Sequence, residues 1–246
     1  MKKLVAYITS SYPESAFSID LSLKLAEVGV DYLELGIPFS DPVADGPIIE
    51  KANLKALQNG FKINELFKVS KEIAPHIKTL WMGYFNPFYH KGLELFIKEA
   101  KESRVKGFII PDLPHEEATF YKPQIEEANL NLIEFIAPTD SKERLEKITK
   151  DAKEFIYMVA YAGITGSGKS EDLSTIIKEV KEFTNTPLFI GFGVNEKNAK
   201  EKAKGVDGVI VGSEFVKVLL DDTLNYTKKI EKIATKAKNI KEAINS

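Results

Sequence analysis

The sequence contains no cysteine and only three histidines. The absence of cysteine excludes disulfide bonds, thiolate nucleophiles and zinc sites with thiolate ligands. The histidines are His76, His90 and His115, and they lie far apart in the sequence, so a metal site built from histidines is not expected. The sequence therefore predicts no metal site.

An excess of charge of one sign is also lacking. The 34 Lys and Arg residues nearly balance the 36 Asp and Glu residues, which gives a net charge of -2. This balance offers no case for nucleic acid or an anionic membrane as a partner. The N-terminal segment has too short an apolar run for a signal peptide, and no apolar segment approaches the roughly 20 residues that span a bilayer. We expect a soluble, cytoplasmic protein with no membrane partner.

What the sequence does contain is a repeated alternation of strand and helix. The 246 residues, 43% of them hydrophobic, can bury a full core, and the length fits one large α/β barrel or two smaller domains. The apolar runs predicted as strands are Leu4–Thr9, Tyr32–Ile37, Thr79–Tyr84, Gly107–Pro111, Leu130–Ile136, Phe155–Ala160, Pro187–Phe192 and Gly208–Val211. Amphipathic stretches predicted as helices separate them, for example Ile19–Val28, Leu93–Ser103, Lys142–Asp151, Leu173–Phe183 and Asn195–Lys204.

Eight strands alternating with helices in about 240 residues match a closed parallel barrel better than an open sheet. No linker rich in Gly, Pro or Ser divides the chain. We therefore predict an α/β fold, a (β/α)8 TIM barrel, as a single domain over residues 1–246. The segment from about 221 to 244 is lysine-rich with apolar residues at helical spacing, which predicts a C-terminal helix that covers the barrel.

The strand Tyr32–Ile37 and the loop after it carry an unusual set of acids. Glu34 lies in the middle of the apolar strand, where a carboxylate is costly to bury unless it is hydrogen-bonded or has chemistry to perform. The proline-stiffened loop Phe39–Pro47 adds Asp41 and Asp45. Because active sites of such barrels lie at the carboxyl ends of the strands, these acids predict a general acid/base site. A salt-bridged glutamate and turn-forming aspartates are the alternative.

The run ELGIPFSDPVADGP, from Glu34 to Pro47, closely resembles the signature of the tryptophan synthase alpha chain family. The resemblance extends from about Tyr7 to Ser213 and includes the run PDLP at Pro111–Pro114. Members of the family cleave indole-3-glycerol phosphate to indole and glyceraldehyde 3-phosphate, a retro-aldol lyase reaction without metal or organic cofactor. The resemblance implies this reaction, in L-tryptophan biosynthesis, for the present chain.

The resemblance also implies roles for individual residues. Glu34 would exchange protons with the substrate, and burial would raise its pKa toward neutrality. Asp45 matches the residue that hydrogen-bonds the indole N–H and stabilises the developing indolenine cation. Tyr157 matches a residue beside the catalytic acid. The residues expected to bind the substrate are Tyr7, Met82, Tyr84, Ile136 and Thr165.

A second motif, GITGSGKS at residues 163–170, matches the phosphate-cradling pattern of P-loop nucleotide-binding proteins. Two features oppose that interpretation. Five predicted strands precede the strand that leads into the motif, and no strand convincingly ends in a magnesium-binding aspartate, since the nearest candidate, Phe108–Asp112, lies upstream. The resemblance favours a mobile glycine-rich lid in which Thr165 contacts the catalytic acid on closure. The SGKS sequence departs from the residues that the family more often has there.

Glycines end the last two predicted strands, at Gly191-Phe192-Gly193 and at Val211-Gly212-Ser213. Barrels of this kind often hold a phosphate between these loops and a helix N-terminus, because glycine lets backbone N–H groups approach the oxygens and the helix dipole favours the anion. Ser213 alternatively caps a helix that starts near Glu214. The residues predicted to bind phosphate, which also match those of the family, are Gly166, Gly191, Gly193, Gly212 and Ser213.

Several alternatives stay open from the sequence. Glu134, a strand acid on the same face as Ile136, is a rival catalyst, or else forms a buried ion pair with a lysine. The chain as a whole could be another phosphate-binding TIM-barrel isomerase or synthase, a P-loop nucleotide-binding protein, or a catalytically silent barrel that only binds a partner.

The resemblance implies a protein partner. The family passes indole through a tunnel to a beta subunit that carries pyridoxal phosphate (PLP), in an α2β2 heterotetramer. The loops Asp41–Val43 and Asp112–Pro114 are the candidates for docking. No cofactor is expected in this chain itself.

Overall fold

The computed structural model of the protein describes residues 1–159 and 173–246. Within these residues nine strands form one parallel sheet. The strands are β1 (Lys3–Thr9), β2 (Tyr32–Gly36), β3 (Lys78–Met82), β4 (Gly107–Ile109), β5 (Asn131–Leu132), β6 (Glu134–Ile136), β7 (Ile156–Val159), β8 (Leu188–Gly191) and β9 (Gly208–Val211).

Helices connect the strands and cover the outside of the sheet. They are α1 (Ser15–Glu27), α2 (Pro47–Gln58), α3 (Ile63–Ile73), α4 (Phe85–Lys91), α5 (Leu93–Ser103), α6 (His115–Glu127), α7 (Lys142–Lys150), α8 (Ser174–Phe183), α9 (Ala199–Lys202), α10 (Ser213–Leu219) and α11 (Tyr226–Ala243). No helix in these two ranges is long and apolar enough to cross a membrane.

The sheet closes through the segment between residues 131 and 136. The strand order is β5-β4-β3-β2-β1-β9-β8-β7-β6, so β5 and β6 lie at its two ends. These two strands are separated in the chain by Ile133 alone, and its N–H donates to the Phe108 carbonyl at 2.9 Å. Because one short segment pairs with both ends, the sheet curls into a nearly closed barrel. The predicted TIM barrel is confirmed, with its fifth strand interrupted at Ile133.

The strands are apolar on both faces because each face is buried. Inside the barrel, side chains such as Val5, Leu80 and Phe189 form one cluster. Outside, alternate residues such as Leu33 and Trp81 pack against the helices in a second, larger cluster. Side-chain alternation along each strand therefore decides whether a residue faces the barrel interior or the helical layer.

Helix bounds differ from the sequence prediction at several places. The C-terminal helix begins at Tyr226 rather than near residue 221, because the Asn225 side chain accepts a hydrogen bond from Lys228 N–H and caps it there. Helix α9 is shorter than the predicted Asn195–Lys204. The predicted lid or P-loop at residues 163–170, which includes Thr165 and Gly166, lies outside the described residues.

Candidate active site

A cavity of about 660 Å³ opens at the carboxyl ends of the strands. Its described lining brings together most of the residues that the sequence singled out, namely Tyr7, Glu34, Asp45, Met82, Ile136, Tyr157, Gly193, Gly212 and Ser213. Tyr84 and Gly191 lie beside the cavity and contact residues of its wall. Residues from seven parts of the chain, each on or after a different strand, therefore meet in one place.

Glu34 lies on β2 and faces the barrel interior. Its side chain is buried, with 2% exposed, and its Oε1 has no hydrogen-bond partner within the described residues. Tyr7 of β1 is its neighbour in the sheet register. Burial, together with the nearby charge of Asp45, raises the pKa of Glu34 to about 8. A buried acid without a compensating cation favours the neutral form, so Glu34 carries a proton at neutral pH.

Asp45 lies in the loop between β2 and α2 and lines the cavity. Asn53 of α2 donates a hydrogen bond from Nδ2 to Asp45 Oδ2 at 3.4 Å. Burial raises the pKa of Asp45 to about 6, while hydrogen bonds from Tyr84 and Asn53 limit the rise. Because the pKa of Asp45 lies below that of Glu34, Asp45 is ionised at neutral pH while Glu34 is protonated.

Two glycines make room for the two tyrosines that flank Glu34. A Cβ atom at Gly36 of β2 would lie 2.3 Å from the Tyr7 hydroxyl, and one at Gly191 of β8 would lie 2.4 Å from the Tyr157 ring. Burial raises the pKa of both tyrosines above its usual value, so both stay neutral. At Gly191, predicted to bind phosphate, the structure thus shows a packing reason for the absence of a side chain.

Tyr84 fixes the loop that carries Asp45. It precedes α4, and its hydroxyl accepts a hydrogen bond from Ala44 N–H at 3.1 Å. Its ring stacks on Phe39 with the ring centroids 5.5 Å apart. The loop is thereby held at two points, which positions the Asp45 carboxylate relative to the barrel.

Glu134, the rival catalyst of the sequence, faces outward from β6. Its Oε1 accepts from Lys122 Nζ at 2.7 Å, and its Oε2 lies 3.1 Å from His115 Nδ1. Ile136 shares that outer face, packs in the outer cluster and is also among the residues that line the cavity. Phe135, between them in the strand, faces inward, and its ring stacks on that of Tyr157 with the ring centroids 4.9 Å apart.

Another part of the cavity wall is formed by the segments after β8 and β9. Gly193 adopts a φ of 71°, which favours glycine, and its carbonyl accepts a hydrogen bond from Asn198 Nδ2 at 2.8 Å. Gly212 leaves little space, since an added Cβ atom would lie 3.3 Å from Ile49. Ser213 follows it as the first residue of α10. Main chain therefore reaches the cavity here without covering side chains.

Among the residues of this site that sequence reasoning did not single out are Asn53, Phe135, Arg144, Phe192 and Lys217. Four of them line the cavity, and Asn53 contacts Asp45 from behind. Asn53 left a detectable signal, because it is a polar residue on a face of α2 that otherwise holds Ala52 and Ala56. Arg144 and Lys217 left no such signal in the sequence, since a charged residue on a helix is ordinarily solvated.

Comparison with known proteins places the chain in a well-defined group. The family model described as tryptophan synthase alpha chain matches residues 1–245. A protein of that name from Wolinella succinogenes is 57% identical over 100% of this chain and 97% of its own length. One from Petrotoga mobilis is 37% identical over 98% of this chain and 95% of its own length.

Solved structures agree with these matches. Tryptophan synthase subunit alpha from Campylobacter jejuni superposes with a TM-score of 0.86 at 37% identity, covering 96% of this chain and 95% of that one. A ligand-free crystal structure of tryptophan synthase from M. tuberculosis gives a TM-score of 0.88 at 28% identity, covering 100% and 94% of the two chains. The similarity thus spans the full barrel, including every part of the cavity wall described above.

Proposed function

Because the chain belongs to the tryptophan synthase alpha chain family, it is a carbon–carbon lyase that cleaves indole-3-glycerol phosphate to indole and glyceraldehyde 3-phosphate, and we propose that Glu34 and Asp45 carry the proton and charge transfers of that cleavage. The observation that carries the proposal is the buried Oε1 of Glu34 in the cavity wall, which has no hydrogen-bond partner among residues 1–159 and 173–246. A carboxyl group left unpaired in an apolar barrel costs stability, which is understandable where the group has chemistry to perform.

The cleavage requires two proton transfers at the bond that breaks. Indole C3 gains a proton as its bond to the glycerol chain breaks, and the hydroxyl on the adjacent glycerol carbon loses one as that carbon becomes an aldehyde. With its pKa raised to about 8, Glu34 enters the reaction protonated and can donate to C3. The carboxylate formed then accepts the hydroxyl proton, so Glu34 ends the cycle as it began.

Asp45 serves the other end of the indole ring. Protonation at C3 places positive charge on the ring nitrogen, and a nearby carboxylate stabilises that charge most in the transition state. With its pKa at about 6, Asp45 is ionised when Glu34 is still protonated. Tyr157 and Tyr7, neutral and fixed by packing, keep water away from Glu34, while Met82 and Phe135 supply apolar surface for the ring.

The part of the cavity wall formed by the segments after β8 and β9 is where we propose that the phosphate group of the substrate binds. We infer that backbone N–H groups around Gly193, Gly212 and Ser213 bind the phosphate, in the position typical of TIM barrels after their last two strands. Gly191 supports this region from behind through its contact with Tyr157. Thr165 and Gly166 complete the proposed set from outside the described residues.

Steady-state kinetics of three variants test the catalytic roles. Glu34→Gln and Asp45→Asn should each lower kcat by at least about 100-fold, the scale expected for loss of a general acid/base or of a charge-stabilising group. Asp41→Asn is the matched control, because it changes an exposed carboxylate of the same loop and should leave kcat within about twofold. Equal, small effects of all three substitutions would contradict the proposal.

A beta subunit is the partner that we propose for this chain. The family's own reaction needs no cofactor, and the PLP that consumes indole would reside on that partner in an α2β2 assembly. Val43, at the cavity rim, has 82% of its surface exposed although it is apolar, which supports docking there. Phe85 N–H donates to Asp112 Oδ1 at 2.8 Å and so anchors the second proposed docking loop, Asp112–Pro114. We further infer a cytoplasmic location, as expected for amino-acid biosynthesis.

Val43→Asp tests the docking proposal. The added charge at the rim should weaken association with the beta subunit, measured by sedimentation, and leave cleavage by the isolated chain within about twofold. Unchanged association would place the interface elsewhere.

A further inference from the structure

Lys217 is a cation in the cavity wall that the catalytic account does not use. It lies on α10, four residues after Ser213, so the two side chains share one face of that helix. Its side chain is exposed and lines the cavity. No carboxylate of the described residues forms an ion pair with it.

The other charges of the cavity wall are satisfied or serve chemistry. Arg144, also in the lining, donates from Nε to Asp140 Oδ1 at 3.0 Å and pairs with Glu116 as well. Glu34 and Asp45 lie at the catalytic end of the cavity. Within the described lining, Lys217 is therefore the cation that has no anion to neutralise it.

Glu214 would repel an anion at this end of the cavity if its charge were free. It follows Ser213 directly and also lines the cavity. Lys236 of α11 pairs with Glu214 Oε1 and with Glu196 Oε2. Because both carboxylates pair with Lys236 and neither forms an ion pair with Lys217 among the described residues, the charge of Lys217 remains available to a ligand.

We propose that Lys217 is a substrate-binding residue whose ammonium group attracts the phosphate group at the cavity end formed by Gly193, Gly212 and Ser213. The inference rests on the proposed function, which supplies a phosphorylated substrate in this orientation. Backbone N–H groups alone give a directional but uncharged site, and a lysine adds a point charge that favours the dianion. The phosphate takes no part in bond breaking, so this attraction acts on substrate binding and not on the chemical step.

Lys217→Met is the variant that tests the inference. Its KM for indole-3-glycerol phosphate should rise about three- to tenfold with kcat unchanged, the range of an exposed charge-assisted contact. Lys217→Arg should restore most of the affinity. The increase in KM should shrink at high ionic strength, because added salt screens the lysine of the wild type and leaves methionine unaffected. Lys200→Met, on exposed α9 outside the cavity, is the matched control and should leave KM unchanged.

Equilibrium binding of two probes separates this inference from the proposed function. Glycerol 3-phosphate should bind Lys217→Met about three- to tenfold more weakly than the wild type, whereas indole should bind both equally. Equal affinity of both proteins for glycerol 3-phosphate would overturn the inference, and so would an equal loss of affinity for indole. If the wild type bound glycerol 3-phosphate through Lys217 without cleaving the substrate, the proposed function would fail and the phosphate site would stand.

Discussion

Glu34 and Asp45 show how surroundings assign different roles to two carboxyl groups of one cavity. Glu34 is enclosed by apolar side chains and the two neutral tyrosines, so burial dominates its pKa. Asp45 accepts hydrogen bonds from Tyr84 and Asn53, which stabilise its ionised form. A proton donor and a charge-stabilising carboxylate for one reaction thus arise from residues of similar intrinsic acidity.

Asn53→Ala tests whether the hydrogen bond from Asn53 to Asp45 keeps the pKa of Asp45 below that of Glu34. Removal of the Nδ2 donor should raise the pKa of Asp45, so the fall in kcat/KM on the acid side should begin at higher pH. At pH 6.5 we expect kcat/KM to drop about three- to tenfold, with less loss at pH 8. Asn59→Ala on the same chain segment removes a bond to the Pro13 carbonyl outside the cavity and should not move the profile.

At the residue scale, the sequence was sufficient to single out Glu34 but not to orient Glu134. Each is an acid within an apolar strand, and in a parallel barrel both faces of a strand are buried. The period of two correctly puts Glu134 and Ile136 on one face, yet nothing in the pattern says which face is inside. Lys122 and His115, which pair with Glu134, come from α6, a helix that the sequence pattern did not define.

Pairs of neighbouring strands interlock through a tyrosine on one and a glycine on the other. Tyr7 of β1 lies over Gly36 of β2, and Tyr157 of β7 lies over Gly191 of β8. Each ring is fixed because its partner strand has no side chain at that position. The two rings flank Glu34, so strand pairing is what defines the catalytic end of the cavity.

Gly191→Ala should therefore disturb Tyr157. We expect a loss of about 1–3 kcal/mol in the free energy of unfolding from overpacking, together with reduced cleavage. Tyr157→Leu should relieve the clash, so the double variant should be less destabilised than the sum of the single ones, as measured by urea denaturation. Gly46→Ala, with open space around its Cα, is the control for the substitution itself. If the losses in the free energy of unfolding of the two single variants simply added in the double variant, Gly191 and Tyr157 would not be coupled by packing.

The presence of each strand and helix could be predicted better than the residues at which it begins and ends. The alternation of strands and helices came from hydrophobic periodicity, and Leu93–Ser103 matches α5 at both ends. The third strand ends at Met82 and not at Tyr84, because Tyr84 turns away to meet Ala44. Such ends are set by tertiary contacts that local sequence does not contain.

At the scale of the whole molecule, closure of the barrel places the first and last elements together. Strand β1 pairs with both β2 and β9, and α11 packs on α1, α10 and β1. Every described strand belongs to one sheet, which supports our proposal that the chain is a single domain with α11 as part of it. The C-terminal helix then contributes to the stability of the entire barrel.

Ile233→Ala measures that contribution. Ile233 lies on the buried face of α11 and is fully buried, so its truncation should lower the free energy of unfolding by about 2–5 kcal/mol. Trp81, the single tryptophan and fully buried on β3, should report the destabilisation by fluorescence although it lies on a strand remote in sequence. Lys238→Ala on the exposed side of α11 is the control. An unchanged Trp81 transition would show that α11 and the barrel unfold separately.

The central claim is that Glu34 donates a proton in a cavity that holds Asp45 ionised. The measurement that tests it most directly is the pH dependence of kcat/KM for indole release, from pH 5 to pH 10. We expect a bell-shaped profile, with loss of activity above about pH 8 as Glu34 ionises and below about pH 6 as Asp45 is protonated. The substrate phosphate also titrates near pH 6, so the acid limb is assigned to Asp45 by its displacement in Asn53→Ala. Activity that stays constant through pH 8 to 10, or an alkaline limb that persists in the residual activity of Glu34→Gln, would show that Glu34 is not the proton donor.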